Sequence, residues 1–366
     1  MSEAASRAAS LVAALEGRGV DAMLVTSDPN LAYLTGYSGD NGIAVLGPRG
    51  ARLVTDGRYA TSARDEVHDA EVVIGERDLR AAIGAAIADL APGGRVGVES
   101  EHVTLARFER LRAVAGDATL VPVADLVEDL RVVKDDDEVG RIQRAADVAD
   151  RALNRVLAGG VVGRREADVA MDVVATMIDE GAEGASFDPI VASGSRGALP
   201  HAVPSRERIP ADTLVTFDLG ARVDGYCSDM TRTFSTGTPP DALLAAYAAC
   251  ARAHRLALEA VRPGVSGADL DAIARGVLDA EGLGEHFVHG LGHGVGVQIH
   301  ERPGIRRTGM EVLRPGMVIT VEPGVYLEGL GGVRIEDLVL VTADGHRVMS
   351  GFPHGAGDEP PTTARG

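Results

Sequence analysis

Four acidic residues in the second part of the chain sit inside or beside apolar runs, where their type and spacing suit metal chemistry. Asp218 closes Leu214-Val215-Thr216-Phe217, and Glu322 closes Met317-Val318-Ile319-Thr320-Val321. Glu336 lies within Val333-Arg334-Ile335-Glu336-Asp337-Leu338-Val339-Leu340-Val341. Asp229 follows Gly225 by four residues, as Glu336 follows Gly332. A carboxylate buried in such a run is costly unless it is paired or holds a metal. Any one of the four is satisfied by pointing outward from a half-exposed strand, the ordinary place of Asp and Glu. Four that converge are not, because like charges gathered at one place demand a compensating cation.

The histidines form a second group. The segment His289-Gly290-Leu291-Gly292-His293-Gly294-Val295-Gly296-Val297-Gln298-Ile299-His300 packs three His into twelve residues. Its alternating glycines disfavour a helix, so the histidines are not an i,i+4 helical pair. Glycine instead permits close backbone approach to something bound. The run lacks G-x-G-x-x-G spacing, so it is not a dinucleotide loop. His201, in Ala198-Leu199-Pro200-His201-Ala202-Val203-Pro204, is a weaker candidate by itself. Arg334 stands two residues before Glu336 and shares its strand face.

An internal repeat is what would bring the acids together. Gly160-Val161-Val162-Gly163 recurs as Gly264-Val265-Ser266-Gly267, and Val215–Gly220 recurs as Ile319–Gly324, both at an offset of 104 residues. Each copy runs helix, Gly-rich turn, helix and a pair of strands, and each strand pair carries two acids. Two such α+β units related by a pseudo-twofold axis place both strand pairs side by side. Ahead of the repeat, Val20–Thr26, Gly42–Leu46, Ala51–Thr55, Ala70–Gly75, Arg95–Ser100 and Ala118–Val123 read as strands, with a hairpin at Gly47-Pro48-Arg49-Gly50. Asp78–Leu90 and Thr104–Val114 have helical periodicity, and Asp28-Pro29-Asn30 reads as a turn. The acidic run Asp135-Asp136-Asp137-Glu138 sits where a helix N-terminus favours negative charge. We therefore expect an α/β domain over residues 1–132, a duplicated α+β domain over 133–354 and a flexible tail over 355–366.

Composition excludes several classes. The chain has 366 residues, with 36 Lys plus Arg against 54 Asp plus Glu, for a net charge of −18. No positive surplus exists to neutralise phosphates, so no nucleic-acid partner is expected. Two Cys cannot form a disulfide framework, which suits a reducing cytoplasm. No run of about 18 uncharged apolar residues occurs, so no membrane span is expected. The first residues read as an amphipathic helix rather than a signal peptide.

The text FDLGARVDGYCSDMTRTF, HGLGHGVGVQIHE, VEPGVY and GVRIED resembles the pita-bread metallopeptidases, the family of methionine aminopeptidase, aminopeptidase P and prolidase. Tyr33-Leu34-Thr35-Gly36-Tyr37 and Thr55-Asp56-Gly57-Arg58-Tyr59 resemble the creatinase/prolidase-type N-terminal domain, which points to the proline-specific branch. The resemblance implies the ordered metal ligands Asp218, Asp229, His293, Glu322 and Glu336, with no other cofactor. It implies two divalent cations, best Mn²⁺ and also Co²⁺ or Zn²⁺, since the donors are mostly hard oxygens. It assigns His201, His289 and His300 to substrate and the tetrahedral intermediate, Glu322 to proton transfer, and Arg334 to the metal carboxylates. The implied reaction removes an N-terminal residue before proline, as in an Xaa-Pro aminopeptidase. The alternative is an Xaa-Pro dipeptidase restricted to dipeptides, which needs a basic group for the free carboxylate. Arg196 is the one basic residue in the stretch leading into His201. A metal-free creatinase-like hydrolase or a non-catalytic binding protein fits less well, because all five ligands are present. The resemblance also implies a homodimer.

Overall fold

The computed structural model describes residues 3–355 and 357–363. The chain divides into two compact units, Met1–Arg131 and Val132–Gly366.

The first unit is built on a six-stranded mixed sheet, in the order Glu71–Gly75, Gly50–Asp56, Gly42–Gly47, Ala22–Val25, Arg95–Glu99, Thr119–Val123. The hairpin forms with Gly47 opposite Gly50. Leu24, Val45, Val54, Val96 and Val98 pack against Ile83, Ile87 and Leu111 of the helices Arg80–Leu90 and Leu105–Arg112. The expected turn at Asp28-Pro29-Asn30 is instead the first turn of a helix, Asp28–Thr35. Proline is tolerated there because the first helical N–H groups lack intrahelical acceptors in any case. The buried Glu99 carboxylate braces the entry to this helix, taking bonds from the Thr26 and Ser27 N–H groups just before it at 2.5 and 2.9 Å and from the Asn30 side chain, Nδ2, at 2.8 Å. That partner is 69 residues away from Asn30, so local sequence could not display it.

The second unit carries the duplication. Its first copy has the helices Asp136–Ala158 and Glu166–Asp179 and a sheet ordered Met230–Ser235, Leu214–Leu219, Ile190–Ser193. Its second copy has the helices Asp241–Ala260 and Gly267–Ala280 and the strand sequence Gly292–Gly294, Val318–Val321, Asp337–Val341 within a five-stranded sheet. In both copies the middle strand pairs antiparallel with its two neighbours. The acidic run at 135–138 closes a capping box: Asp135 Oδ1 accepts from the Glu138 N–H at 2.9 Å, and Glu138 Oε2 accepts from the Asp135 N–H at 3.0 Å. Each copy has its own apolar cluster, one around Phe217, Phe234 and Val173, the other around Leu270, Leu278 and Ile319.

The segment expected to be a free tail is held down in part. Ser235 N–H donates to Pro361 O at 2.8 Å, and Thr363 N–H donates to Ser235 O at 3.0 Å. The edge of the strand Met230–Ser235 offers unpaired backbone groups, and this segment satisfies those of Ser235 at its end. Residues 356 and 364–366 of that expected tail lie outside the described residues.

Candidate metal centre

The two sheets of the second unit bring the acids together. Asp218, near the end of the strand Leu214–Leu219, stands opposite Thr231. Glu322 follows the strand Val318–Val321, and its N–H donates to Leu291 O at 2.8 Å. Glu336 sits between the strands Gly331–Arg334 and Asp337–Val341, its N–H donating to Thr231 O at 3.1 Å and its Oε2 accepting from Thr231 Oγ1 at 2.7 Å. One copy of the repeat thus holds a carboxylate of the other in place.

His293 lies in the strand Gly292–Gly294. Its Nε2 is 3.5 Å from Asp229 Oδ2 and 3.4 Å from Glu322 Oε1. Its Nδ1 faces Gly294 O at 3.0 Å, so that nitrogen carries the proton and Nε2 presents a lone pair to the carboxylates. The glycines beside it are sterically required: a β-carbon on Gly292 would collide with the Thr320 carbonyl oxygen, and one on Gly294 with that of Arg302. Ligand atoms of Asp229, His293 and Glu336 all lie within 4.8 Å of one another.

The electrostatics fit a site made for cations. Asp229 and Glu336 are 5 % and 1 % exposed. Burial, then repulsion from Glu336, Asp218 and Glu322, pushes the Asp229 carboxyl well up. Burial, then Glu322 and Asp218, does the same to Glu336. Burial lifts Glu322 to about 8, opposed by Arg334. Burial lowers His293 to about 4, so its imidazole is neutral and able to ligate. Asp218 Oδ1 is buried without a hydrogen bond. An orphaned carboxylate oxygen, three carboxyls driven toward protonation and a neutral imidazole are what a divalent-cation site presents when the protein is considered alone.

Arg334 is the positive charge the protein itself supplies. Its Nη2 donates to Asp218 Oδ2 at 2.6 Å, Nε to Thr231 Oγ1 at 3.2 Å and Nη1 to Tyr326 Oη at 2.7 Å. Arginine cannot accept, so the tyrosine hydroxyl donates onward to His289 Nε2, 2.8 Å away. His289 Nδ1 then donates to Gly290 O at 2.8 Å. Both His289 nitrogens are engaged within the protein, whereas His201 and His300 are exposed and neither ring meets a hydrogen-bond partner among the described residues. His300 packs edge-on against His293, with ring centroids 4.4 Å apart.

A cavity of about 510 Å³ contains Asp218, Asp229, His293, Glu322 and Glu336 together with His201, His289, His300 and Arg334. Phe187, Ile190, Val203, Pro204 and Ile299 give it an apolar wall. The loop bearing His201 is fixed by Glu166, a fully buried carboxylate that accepts from Ser193 N–H at 2.8 Å, Ser205 Oγ at 2.8 Å and Arg196 Nε at 2.9 Å. Arg334 Nη1 also donates to Pro200 O at 3.2 Å. Sequence reasoning had no signal for Glu166, Thr231 or Tyr326, which are ordinary residues until the fold places them. It also passed over Arg306, a cavity residue whose guanidinium meets no hydrogen bond or ion pair among the described residues.

Stability of the chelated protein should depend on pH in a direction set by these carboxyls. A carboxyl whose folded pKa is raised stabilises the fold while protonated, and that contribution is lost as pH rises toward the folded pKa. The lowered His254, His289 and His293, each about 4, act oppositely, but only below the ordinary histidine value of 6.5. Between pH 6.5 and about 8 the carboxyls therefore dominate, and Glu322 alone contributes a slope of about 1.4 kcal/mol per pH unit. Urea unfolding in chelator should show falling stability across that window. A flat or rising profile would mean that the four carboxylates are not crowded.

Residues 140–343 match Metallopeptidase family M24, and residues 7–133 match the Creatinase/Prolidase N-terminal domain. The uncharacterized peptidase YqhT of Bacillus subtilis is 39 % identical over 335 residues, 92 % of this chain and 95 % of that protein. The structure of an Xaa-Pro dipeptidase from Bacillus anthracis superimposes with a TM-score of 0.92 at 36 % identity, covering 96 % of this chain and 98 % of the other. That of an X-Pro aminopeptidase from Thermotoga maritima does so with a TM-score of 0.85 at 35 % identity, covering 92 % and 96 %. The second unit is accordingly a pita-bread domain, duplicated about a pseudo-twofold axis, and the first is creatinase-like. No helix among the described residues is long and apolar enough to cross a membrane. With its clustered carboxylates and histidine matching a family that works through divalent metal ions, the chain belongs to metallopeptidase family M24.

Proposed function

We propose that this enzyme is an Xaa-Pro exopeptidase, hydrolysing the bond between an N-terminal residue and a following proline, with Asp218, Asp229, His293, Glu322 and Glu336 as its metal ligands. The observation that carries this reading is the single cavity in which those five residues meet three further histidines and an apolar wall. A pyrrolidine ring suits such a wall, and its tertiary amide offers no N–H to a general peptidase. The similar structures named above act, by their titles, on Xaa-Pro substrates.

Two divalent cations, when bound, supply Lewis-acid polarisation and a water acidic enough to attack at neutral pH. Four carboxylates and one imidazole favour Mn²⁺ among them. Glu322 takes the proton of the attacking water and passes it to the proline nitrogen, which has no proton of its own and must gain one to leave. His201 and His300, with unengaged rings, donate to the developing oxyanion. His289 is held by Tyr326 and shapes the cavity beside them. Cys227 and Cys250 are both buried and not joined in a disulfide, which agrees with work in a reducing cytoplasm. The family resemblance adds a homodimer, which light scattering of the purified protein would test.

His300→Ala should lower kcat by roughly 10²–10³-fold while metal content stays near that of the parent, the scale seen for losing one oxyanion donor. Loss of metal instead would make His300 a ligand and the role assigned here wrong.

Arg306 favours restriction to dipeptides. Arg196, the basic residue near His201 in sequence, is occupied by Glu166 and Val203 O. Arg306 faces the cavity unengaged and suits the free carboxylate of an Xaa-Pro dipeptide. Comparing Xaa-Pro with Xaa-Pro-Xaa cleavage in the parent and in Arg306→Ala tests both readings. A dipeptidase loses mainly dipeptide KM on substitution, whereas an aminopeptidase cleaves the tripeptide well and is indifferent. Cleavage of neither substrate by metal-loaded enzyme would overturn the Xaa-Pro assignment.

A further inference from the structure

A second cluster of metal-ligating side chains lies outside the cavity. His254, on the helix Asp241–Ala260, Asp337, at the start of the strand Asp337–Val341, and His354, in the C-terminal segment, meet with ligand atoms all within 4.8 Å of one another. Asp337 Oδ2 is 3.1 Å from His354 Nε2 and 3.4 Å from His254 Nε2. The other oxygen, Oδ1, accepts from Arg232 Nη2 at 2.8 Å. Arg232 is further tied by Nε to Phe352 O at 3.1 Å, two residues before His354.

The independent mark of a ligand is His254 itself. It is 2 % exposed, and its Nε2 is buried with no hydrogen bond, although it points at a carboxylate. Buried polar atoms are nearly always satisfied, so one left open at the meeting point of two other donors calls for something between them. Burial also brings this imidazole down to about 4, which leaves it neutral with a lone pair to give.

We propose that His254, Asp337 and His354 form a second, non-catalytic transition-metal site, best suited to Zn²⁺, that fastens the C-terminal segment to the body of the catalytic unit. Zinc takes nitrogen and oxygen donors at about 2.0–2.2 Å in a tetrahedron, which sets donor–donor separations of about 3.4 Å. The two carboxylate–imidazole distances already match, and the exposed His354 is free to close the third. Three protein donors leave the fourth position of the tetrahedron to a water. Arg232 on the far carboxylate oxygen orients Asp337, as Arg334 orients Asp218 in the main centre.

The test measures zinc content per chain by mass spectrometry after Zn²⁺ loading and dialysis. It compares the full-length protein, His354→Ala and Asp229→Ala, and the double variant. His354 is on the surface, so its loss does not threaten folding; His254→Gln serves as a second probe of the same site. We expect His354→Ala to hold about one zinc fewer in both backgrounds. We also expect Zn²⁺ to raise the melting temperature of Asp229→Ala but not of the double variant. Equal zinc content with and without His354, in both backgrounds, would overturn the proposal and leave an ordered water as the partner of His254. A failure of the main centre would show separately, as unchanged zinc content on Asp229→Ala alone.

Discussion

Asp229→Ala is expected to abolish peptidase activity and, at the same time, to leave the chelated protein no less stable than its parent. The two effects have one cause. Asp229 is buried among Glu336, Asp218 and Glu322, and burial and those charges together drive its carboxyl upward. That crowding opposes folding of the protein alone and is useful only when cations occupy the centre. Removing a proposed ligand should cost more than the 10–100-fold typical of losing an outer partner, so we expect at least a 10³-fold fall in kcat/KM on an Xaa-Pro substrate. Metal content should fall with it. In chelator, the melting temperature of the variant should equal or exceed that of the parent, the pattern of a site that trades stability for function. Loading with Mn²⁺ should reverse the order, because only the parent gains binding free energy. Normal activity in the variant would end the di-metal assignment. A large loss of stability in chelator would show that Asp229 is a structural acceptor.

Arg334→Ala is expected to have the largest effect on stability. Its guanidinium is buried and joins Asp218, Thr231, Tyr326 and the Pro200 carbonyl. Removing one member of a buried ion pair leaves the other charge uncompensated, a cost of about 3–5 kcal/mol. Here Asp218 would be left beside three other carboxyls, so the upper end of that range applies to the chelated protein. Part of the loss should return on adding Mn²⁺, which supplies the missing positive charge. Arg334→Lys should fall between, since a single ammonium cannot reach the acceptors a guanidinium fork spans. Urea unfolding of the three proteins, with and without Mn²⁺, reads these differences directly. A change below about 1 kcal/mol, the scale of an exposed pair, would mean that Arg334 is not the internal counter-charge.

Much of this centre was legible because duplication is a strong signal. Two motifs recurring at one offset located the paired strands, and strands locate carboxylates by alternation. The glycine-rich histidine segment was legible as non-helical, and Gly292 and Gly294 do prove to be places where a side chain cannot fit. What stayed hidden depends on long-range partners. Thr231 bonds Glu336 across 105 positions, and Glu166 holds the His201 loop from 27 to 39 positions away. A threonine or a helical glutamate at those sites has no distinctive local pattern. The helix at Asp28–Thr35 was missed for a related reason, since the residues leading into it are held by Glu99 from more than 70 positions away. His289 was legible as a candidate site residue but not as one already satisfied by Tyr326, because that partner lies 37 positions away.

The division of the proposed ligands between the two copies has a consequence for how the enzyme comes to be made. Asp218 and Asp229 leave the ribosome well before His293, Glu322 and Glu336. Until Glu336 has emerged, the first two acids belong to a half-domain with an exposed sheet and no complete cage for a cation. The N-terminal unit can fold during synthesis, as leading domains do, whereas a cation held by all five proposed ligands can be captured only once Glu336 has emerged. On the proposed ligand set, activation of this peptidase waits for the second copy of the repeat, and a chain cut between the copies carries Asp218 and Asp229 without the rest of the cage.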